Sequence, residues 1–303
     1  MTSSSAEGHD VALLIADLGG GGAQRVLVTI AGQWAARGIR VCVVTTSPPE
    51  TDVFRLPDGV TRLVAEDPGV SPNPVVGVAA NLRRVASIRS ALRRAGAPVV
   101  MSFIAGTNVL AVLASVGAPW RLVVSERNDP ARQSLGRAWN LLRWLLYRRA
   151  DLVTANSRAA LATLAAIVPE DRLALVENPV PRTPAADGPR EPGLIVAVGR
   201  LTRQKGYDVL LEALARLGDR PFRVEVAGSG ALAAPLAAQA DSLGLGPRVR
   251  WLGQVADPAP LYARCGIFVL ASRHEGTPNV VLEAMAAGAP VVVSSGAGGA
   301  LDR

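Results

Sequence analysis

The chain has 303 residues, 49% hydrophobic and 19% charged, which is long enough for two globular units and agrees with a folded body. Aromatics contribute only 4%, so the apolar content is chiefly Ala, Val and Leu, and the 30 Gly and 22 Pro follow no collagen-like or low-complexity period. The formal net charge of +7 favours anionic partners, but the arginines are spread over several helices without zinc-finger spacing or a base-reading helix, so no specific nucleic-acid partner is expected.

The opening MTSSSAEGHD has no positive segment followed by an apolar core, and no apolar run reaches ~20 residues, so a cytoplasmic site is expected. Residues 11–16 read as a strand, 19–22 as a glycine loop, 23–37 as a helix that Gly38 can close, and 39–45 as the next strand. The rhythm continues with a helix over 82–95, a strand over 98–103, a helix over 107–115 and a strand over 122–125. A long amphipathic helix over 135–149, a strand over 152–155 and a helix over 157–167 follow, and the first domain closes near Val176. Strands alternating with helices imply parallel sheets covered on both faces, because parallel neighbours need crossover connections.

Residues 178–192 hold Pro179, Pro181, Pro184, Pro189 and Pro192 without an apolar period, and read as an interdomain linker. The alternation then resumes: strands over 194–198, 222–227, 249–252, 267–270 and 290–293, with helices over 208–217, 231–242, 258–264 and 278–287 between them. Cys42 falls in a strand and Cys265 directly before one, so both read as buried thiols rather than a disulfide.

Three loops can carry chemistry. Gly19 to Gly22 offers backbone N–H groups at a helix N-terminus, suited to a phosphate, although the same glycines also suit a plain tight turn. VGRLTRQKG, just after a strand, sets Arg200 and Lys205 near one another, and a guanidinium fork with a compact ammonium suits a diphosphate. Taken alone, the two are also ordinary solvent-facing cations. In SRHEGTPNVVLE, Thr277 is expected to cap the following helix with Pro278 in its first turn, leaving Glu275 in the loop and Glu283 inside the helix. Glu283 suits ribose hydroxyls and Glu275 suits a sugar. His274 has a useful titration range but no partner cluster, and no metal is assigned.

The glycine loop with AQR, then VVSERNDP, NPV, VGRLTRQKG and EGTPNVVLEAMAAGAPVV resemble, in that order, the retaining glycosyltransferases of family 4, with GT-B architecture. The resemblance implies an α/β fold of two Rossmann-like domains with parallel sheets: an acceptor-side domain over 1–177, a linker over 178–192 and a nucleotide-sugar domain over 193–303. It implies that Gly21 and Gly22 approach the donor, that Arg200 and Lys205 contact its diphosphate, that Glu275 faces the transferred sugar and that Glu283 binds the ribose. Gly276, Thr277, Pro278 and Asn279 shape the loop, and Val255 ends the WLGQV run that borders the base. Arg200, Lys205 and Glu275 are the expected catalytic residues.

AQR with SERNDP looks most like enzymes that glycosylate polyprenyl-diphosphate-linked or surface glycans, which implies a UDP-sugar donor, UDP-N-acetylhexosamine ahead of UDP-hexose, and no cofactor beyond the donor substrate. Trp139, Leu142, Trp144 and Leu145, with Arg143, Arg148 and Arg149, make the helix near residue 140 a candidate for an anionic membrane surface on the cytoplasmic face. Two departures from the family stand out. No His follows the strand ending at Phe103, where the chain continues IAGTNV and where Thr107 and Asn108 are no substitute for imidazole. The chain also stops at Arg303, short of the family's later elements, which implies weak turnover or, as the rival reading, a non-catalytic nucleotide-sugar-binding or assembly protein.

Overall fold

The computed structural model describes residues 8–66, 74–133, 135–180 and 188–296, and the chain divides into two compact units, residues 1–177 and 178–303. Pro181 and Pro184 of the expected linker, and the expected glycine-rich end after Gly296, lie outside the described residues.

In the first unit the order is β1 (Val11–Ile15), α1 (Gly22–Ala35), β2 (Val41–Thr45), β3 (Thr61–Val64), α2 (Pro74–Ala95), β4 (Val99–Phe103), α3 (Ala105–Ala114), β5 (Arg121–Glu126), α4 (Arg137–Leu146), β6 (Leu152–Ala155), α5 (Arg158–Leu164) and β7 (Leu173–Leu175). Among the described residues these strands form a seven-stranded parallel sheet in the order β3-β2-β1-β4-β5-β6-β7. Alternate residues of β1 feed opposite faces. Leu13 and Ile15 pack with Val26, Leu27 and Ala31 of α1, while Ala12 and Leu14 join Ile88 and Leu92 of α2 and Val109 of α3. That double burial is why β1 reads as a continuous apolar run.

β3 and β7 escape the sequence reading because both are short edge strands, half-buried or exposed, which weakens their apolar signal. The expected helix over 135–149 instead forms α4 followed by a separate 3-10 turn, Tyr147–Arg149. Its faces also correct the sequence reading. Trp139 and Leu142 pack on the core and Arg143 is buried, whereas Leu141 and Trp144 point outward, 56% and 50% exposed.

The second unit runs β8 (Glu191–Val198), α6 (Tyr207–Ala215), β9 (Arg223–Ala227), α7 (Ala233–Ser242), β10 (Val249–Gly253), α8 (Ala259–Arg264), β11 (Cys265–Leu270), α9 (Asn279–Ala286) and β12 (Val291–Val293). Among the described residues its parallel sheet has five strands in the order β10-β9-β8-β11-β12. Leu194, Val196, Phe268 and Leu270 face α8 and α9, and Ile195, Ala197, Val224 and Val226 face α6 and α7.

β8 starts inside the stretch expected to be an irregular linker. Glu191 and Pro192 fit a strand because this part of β8 pairs only with β11, beginning at Glu191 opposite Cys265, while β9 joins from Leu194 onward. Pro192 therefore lies where β8 is open on one side, a position at which a strand tolerates proline. β12 pairs only with β11 among the described residues and leaves Val292 54% exposed, so it is an edge strand of the described sheet. α9 starts at Asn279, with Pro278 extended before it and supplying no side-chain cap, two residues beyond Thr277 rather than one. Cys42 and Cys265 are buried free thiols, and burial pushes Cys42 up to about 11. No described helix is long and apolar enough to cross a membrane.

Candidate functional site

Of the expected site residues of the second unit, Arg200 and Lys205 follow the carboxyl end of β8 and Glu275 to Pro278 follow that of β11, whereas Val255 follows β10 and Glu283 lies within α9. β8 ends at Val198, and the chain turns through Gly199, Arg200 and a single 3-10 turn, Arg203–Lys205, before α6. Gly206 joins that turn to α6 in the left-handed conformation (φ 65°, ψ 26°), and a methyl group there would collide with the Ala271 carbonyl. Only glycine meets both demands, so the backbone after Lys205 presses directly against the end of β11.

Polar links then fasten the loop after β8 and the first turn of α6 to the loop after β11, among them Arg273 Nη1 donating to Arg203 O at 2.8 Å. The Arg273 N–H donates to Gln204 O at 2.8 Å, and Gln204 Nε2 donates to His274 O at 3.0 Å. The Arg273 guanidinium grips both oxygens of Asp208 at 2.8 and 2.6 Å, holding that carboxyl below its ordinary range. Lys205 Nζ donates to Glu275 Oε1 at 2.6 Å, the same oxygen that accepts Ser272 Oγ at 2.7 Å. Glu275 is held in turn by its backbone N–H, which donates to Gly296 O at 3.0 Å.

Lys205 and Glu275 thus meet, with one carboxylate oxygen, Oε2, left without a protein partner among the described residues. Arg200 lies five positions before Lys205 in the same loop, exposed, its guanidinium making no hydrogen bond or ion pair among the described residues. Tyr207 Oη donates to Gly199 O at 3.0 Å, and burial together with the Glu275 carboxylate raises its phenol well above the ordinary value, so it remains a donor.

Glu283, one turn into α9, is buried, with Tyr262 Oη donating to its Oε2 at 3.1 Å. Asn178 Nδ2 donates to Thr277 O at 2.9 Å and also bonds Asn279 Oδ1, fixing the start of α9. Gly276, Thr277 and Pro278 are buried in the turn, and Val255 packs partly buried against the α8–α9 side of the core. The roles of Gln204 and Tyr207 carried no sequence signal of their own, because each donates to a single backbone oxygen, at His274 and Gly199, that no local pattern specifies; Ser272 lies three residues before Glu275, and its hydroxyl went unread there.

Gly21 and Gly22 belong to the first unit. Gly21 is the extended residue before α1, and Gly22 opens that helix. Asp17 organises the glycine loop by accepting from Gly19 N at 2.8 Å and Gln24 Nε2 at 3.0 Å. Asn108 is not an open polar group: its Oδ1 accepts from Ser102, and its Nδ2 donates to Ser125 O and Tyr147 Oη.

Beside Asn108 lies a buried acid that the sequence reading gave no role. Glu126, at the end of β5, accepts from Tyr147 Oη at 2.9 Å and from the backbone N–H of Arg127 and Asn128 at 3.1 and 3.4 Å. Burial pushes its carboxyl up against those bonds, and burial also brings the neighbouring Arg127 guanidinium down to about 10. No group of three or more His, Cys, Asp or Glu side chains gathers as metal ligands among the described residues.

The arrangement in the second unit can hold and neutralise an anion at the strand ends where open parallel sheets receive ligands, while offering one carboxylate oxygen to a hydroxyl. Comparison with known proteins agrees in kind. A family model described as Glycosyltransferase Family 4 matches residues 20–184, and one described as Glycosyl transferases group 1 matches residues 192–302. The chain is 26% identical over 281 residues to a GalNAc-alpha-(1->4)-GalNAc-alpha-(1->3)-diNAcBac-PP-undecaprenol alpha-1,4-N-acetyl-D-galactosaminyltransferase of Campylobacter jejuni, covering 91% of this chain and 76% of that one. It is 27% identical over 302 residues to the N-acetylgalactosamine-N,N'-diacetylbacillosaminyl-diphospho-undecaprenol 4-alpha-N-acetylgalactosaminyltransferase of the same organism, covering 95% and 81%. Its fold matches that of Anabaena HepE, solved with UDP and glucose, at a TM-score of 0.79 and 21% identity over 97% of this chain and 82% of that one.

Proposed function

The chain belongs to glycosyltransferase family 4, and from that premise we propose that it transfers a sugar from a UDP-linked donor, with retained anomeric configuration, to a hydroxyl of a lipid-linked or surface glycan. The observation that carries the reading is the Lys205–Glu275 pair, clamped at the ends of β8 and β11 with Arg200 exposed nearby. Lys205 and Arg200 bind the donor diphosphate and stabilise the charge that grows on it as its bond to the anomeric carbon opens. Glu275 orients the transferred sugar through Oε2. Glu283 receives the ribose, and the Tyr262 hydroxyl bonds its Oε2. Gly276, Thr277, Pro278 and Asn279 shape the pocket wall, and Val255 borders the base.

The choice of UDP-N-acetylhexosamine over UDP-hexose is supported by the two Campylobacter relatives, whose names specify N-acetylgalactosamine transfer onto diphospho-undecaprenol substrates. The same names support a polyprenyl-diphosphate-linked acceptor. Membrane contact on the cytoplasmic face falls to the outward stripe of α4, where Leu141 and Trp144 are exposed and Arg148 stacks on Trp144 at 5.4 Å. This stripe replaces the Trp139 and Leu142 face, which the core occupies.

Competition between UDP-sugars and GDP-sugars for the purified protein tests the donor. Protection by UDP-N-acetylhexosamine, with transfer to a polyprenyl-diphosphate glycan, is the expected result. Preferential protection by GDP-mannose overturns the donor assignment, and donor binding without turnover across broad acceptor pools favours a non-catalytic binding protein.

A further inference from the structure

The second unit carries a second basic cluster at the opposite end of its sheet from Lys205 and Glu275. A groove of about 480 Å³ opens at the amino ends of β9 and β10, lined among others by Arg223, Glu225, Pro247, Arg248, Arg250 and Arg264. All strands of the sheet run parallel, so this groove and the loops that follow β8 and β11 lie at opposite ends.

The register explains how the charges collect. Arg223 lies level with Leu194 and Glu225 with Val196, on the face that α8 covers, and Arg250 of the edge strand β10 lies level with Glu225. A carboxylate therefore stands where the sheet would ordinarily present an apolar residue. Its side chain is only 6% exposed, and Arg264, the last residue of α8, pairs with it and with Glu191 at 3.1 Å. Arg223 pairs with Glu191, whereas Arg250 stays 3.9 Å from Glu225 with its side chain 76% exposed.

Arg248 is held differently. It stacks 4.9 Å over Phe222 and donates to Gly218 O at 2.8 Å and Arg220 O at 3.4 Å, with no carboxylate partner among the described residues. Four guanidiniums against the carboxylates of Glu191 and Glu225 leave an excess of two positive charges. Arg264 and Arg223 are used up in neutralising those acids. Arg248 is pre-oriented without being neutralised, and Arg250 is loosely held.

We propose that this groove is a second anion site that takes phosphate groups through Arg248 and Arg250. A planar guanidinium presents paired donors that match phosphate oxygens, and one already fixed by stacking and backbone bonds loses less freedom on binding. The site is independent of the donor reading, because it shares no residue with the Lys205 loop.

Calorimetric titration of the whole chain with inorganic pyrophosphate tests it, with Lys205→Ala as the background that removes the other cluster's ammonium. Binding that survives in Lys205→Ala and weakens about tenfold or more when Arg250→Glu is added is the expected result. Arg250→Gln removes the charge without adding a carboxylate beside Glu225, and the melting temperature of each variant, measured alongside, separates loss of the site from loss of the fold. Arg248→Lys keeps the charge but not the fork, and weakens binding less. A second arm adds vesicles of phosphatidylcholine with and without phosphatidylglycerol. Vesicle binding that depends on Arg250 identifies headgroup phosphate as the source, and pyrophosphate binding without vesicle binding identifies a soluble phosphate. Residual pyrophosphate binding that is absent in Lys205→Ala, or that is indifferent to Arg250→Glu, overturns the proposal.

Discussion

Lys205 and Glu275 stand 70 positions apart in the chain, yet the ammonium meets Glu275 Oε1 at 2.6 Å within one unit, their side chains 14% and 9% exposed. The pair is mostly withdrawn from water, so each partner stabilises the charge of the other and each is costly to orphan. Ser272 adds a hydroxyl to the same oxygen, which fixes the carboxylate and through it the lysine.

Replacing Lys205 by Ala is expected to lower sugar transfer about 100-fold or more, the usual cost of deleting one group that stabilises developing charge. UDP affinity falls with it, while Lys205→Arg keeps part of both. Steady-state transfer and a UDP titration on each variant measure the effect, and full activity in Lys205→Ala removes the lysine from the chemistry.

The same pair predicts a coupling in stability. Glu275→Ala leaves a partly buried ammonium without its carboxylate and is expected to lower unfolding free energy by about 1–3 kcal/mol. The double variant with Lys205→Ala loses less than the sum of the two single changes. Urea denaturation of the four proteins gives the coupling, and strict additivity means that the contact contributes nothing.

Gly206→Ala tests the junction that sets the lysine in place. The left-handed backbone and the collision with Ala271 O together predict a loss of about 1–3 kcal/mol or more, with the second unit affected first. Hydrogen exchange resolved by segment locates the change. Protection lost only in the first unit contradicts the explanation.

Glu126 predicts a pH dependence with a definite sign. Its folded-state carboxyl is raised, chiefly by burial, so the folded chain holds this proton more tightly than the unfolded one. The contribution is fully present below the unfolded value of about 4.3 and is lost as pH rises through the folded value. Glu126→Gln stays neutral throughout, so its stability relative to the parent rises with pH across that window. Melting temperatures of both proteins from acid to neutral pH measure the difference, and parallel curves rule out the assignment.

The outward stripe of α4 predicts vesicle binding. Leu141→Ser with Trp144→Ser is expected to reduce sedimentation with anionic vesicles by about tenfold or more, since each large apolar side chain contributes ~1.5–3 kcal/mol when it leaves water. Arg148→Ala weakens binding less. Equal sedimentation of parent and variants excludes this helix as the contact.

Much of the architecture was legible from the chain alone. The doubly buried strands announce themselves as unbroken apolar runs, as in VALLI and VCVVT, and the glycines before and after them mark the turns, because local sterics and burial act within a few residues. Arg200, Lys205, Glu275 and Glu283 were nameable for the same reason: each sits in a short ordered motif. What only the tertiary structure decided is who meets whom and which side faces water. Nothing near Lys205 in sequence specifies Glu275 as its partner, and nothing local distinguishes Trp139, packed inward, from Trp144, turned out. The acid of Glu225 and the arginines of β10 and α8 become a groove only because the parallel register sets them level. Hydrogen bonds and ion pairs depend on distances of a few ångström between segments far apart in the chain, and those distances exist only once the sheets have formed.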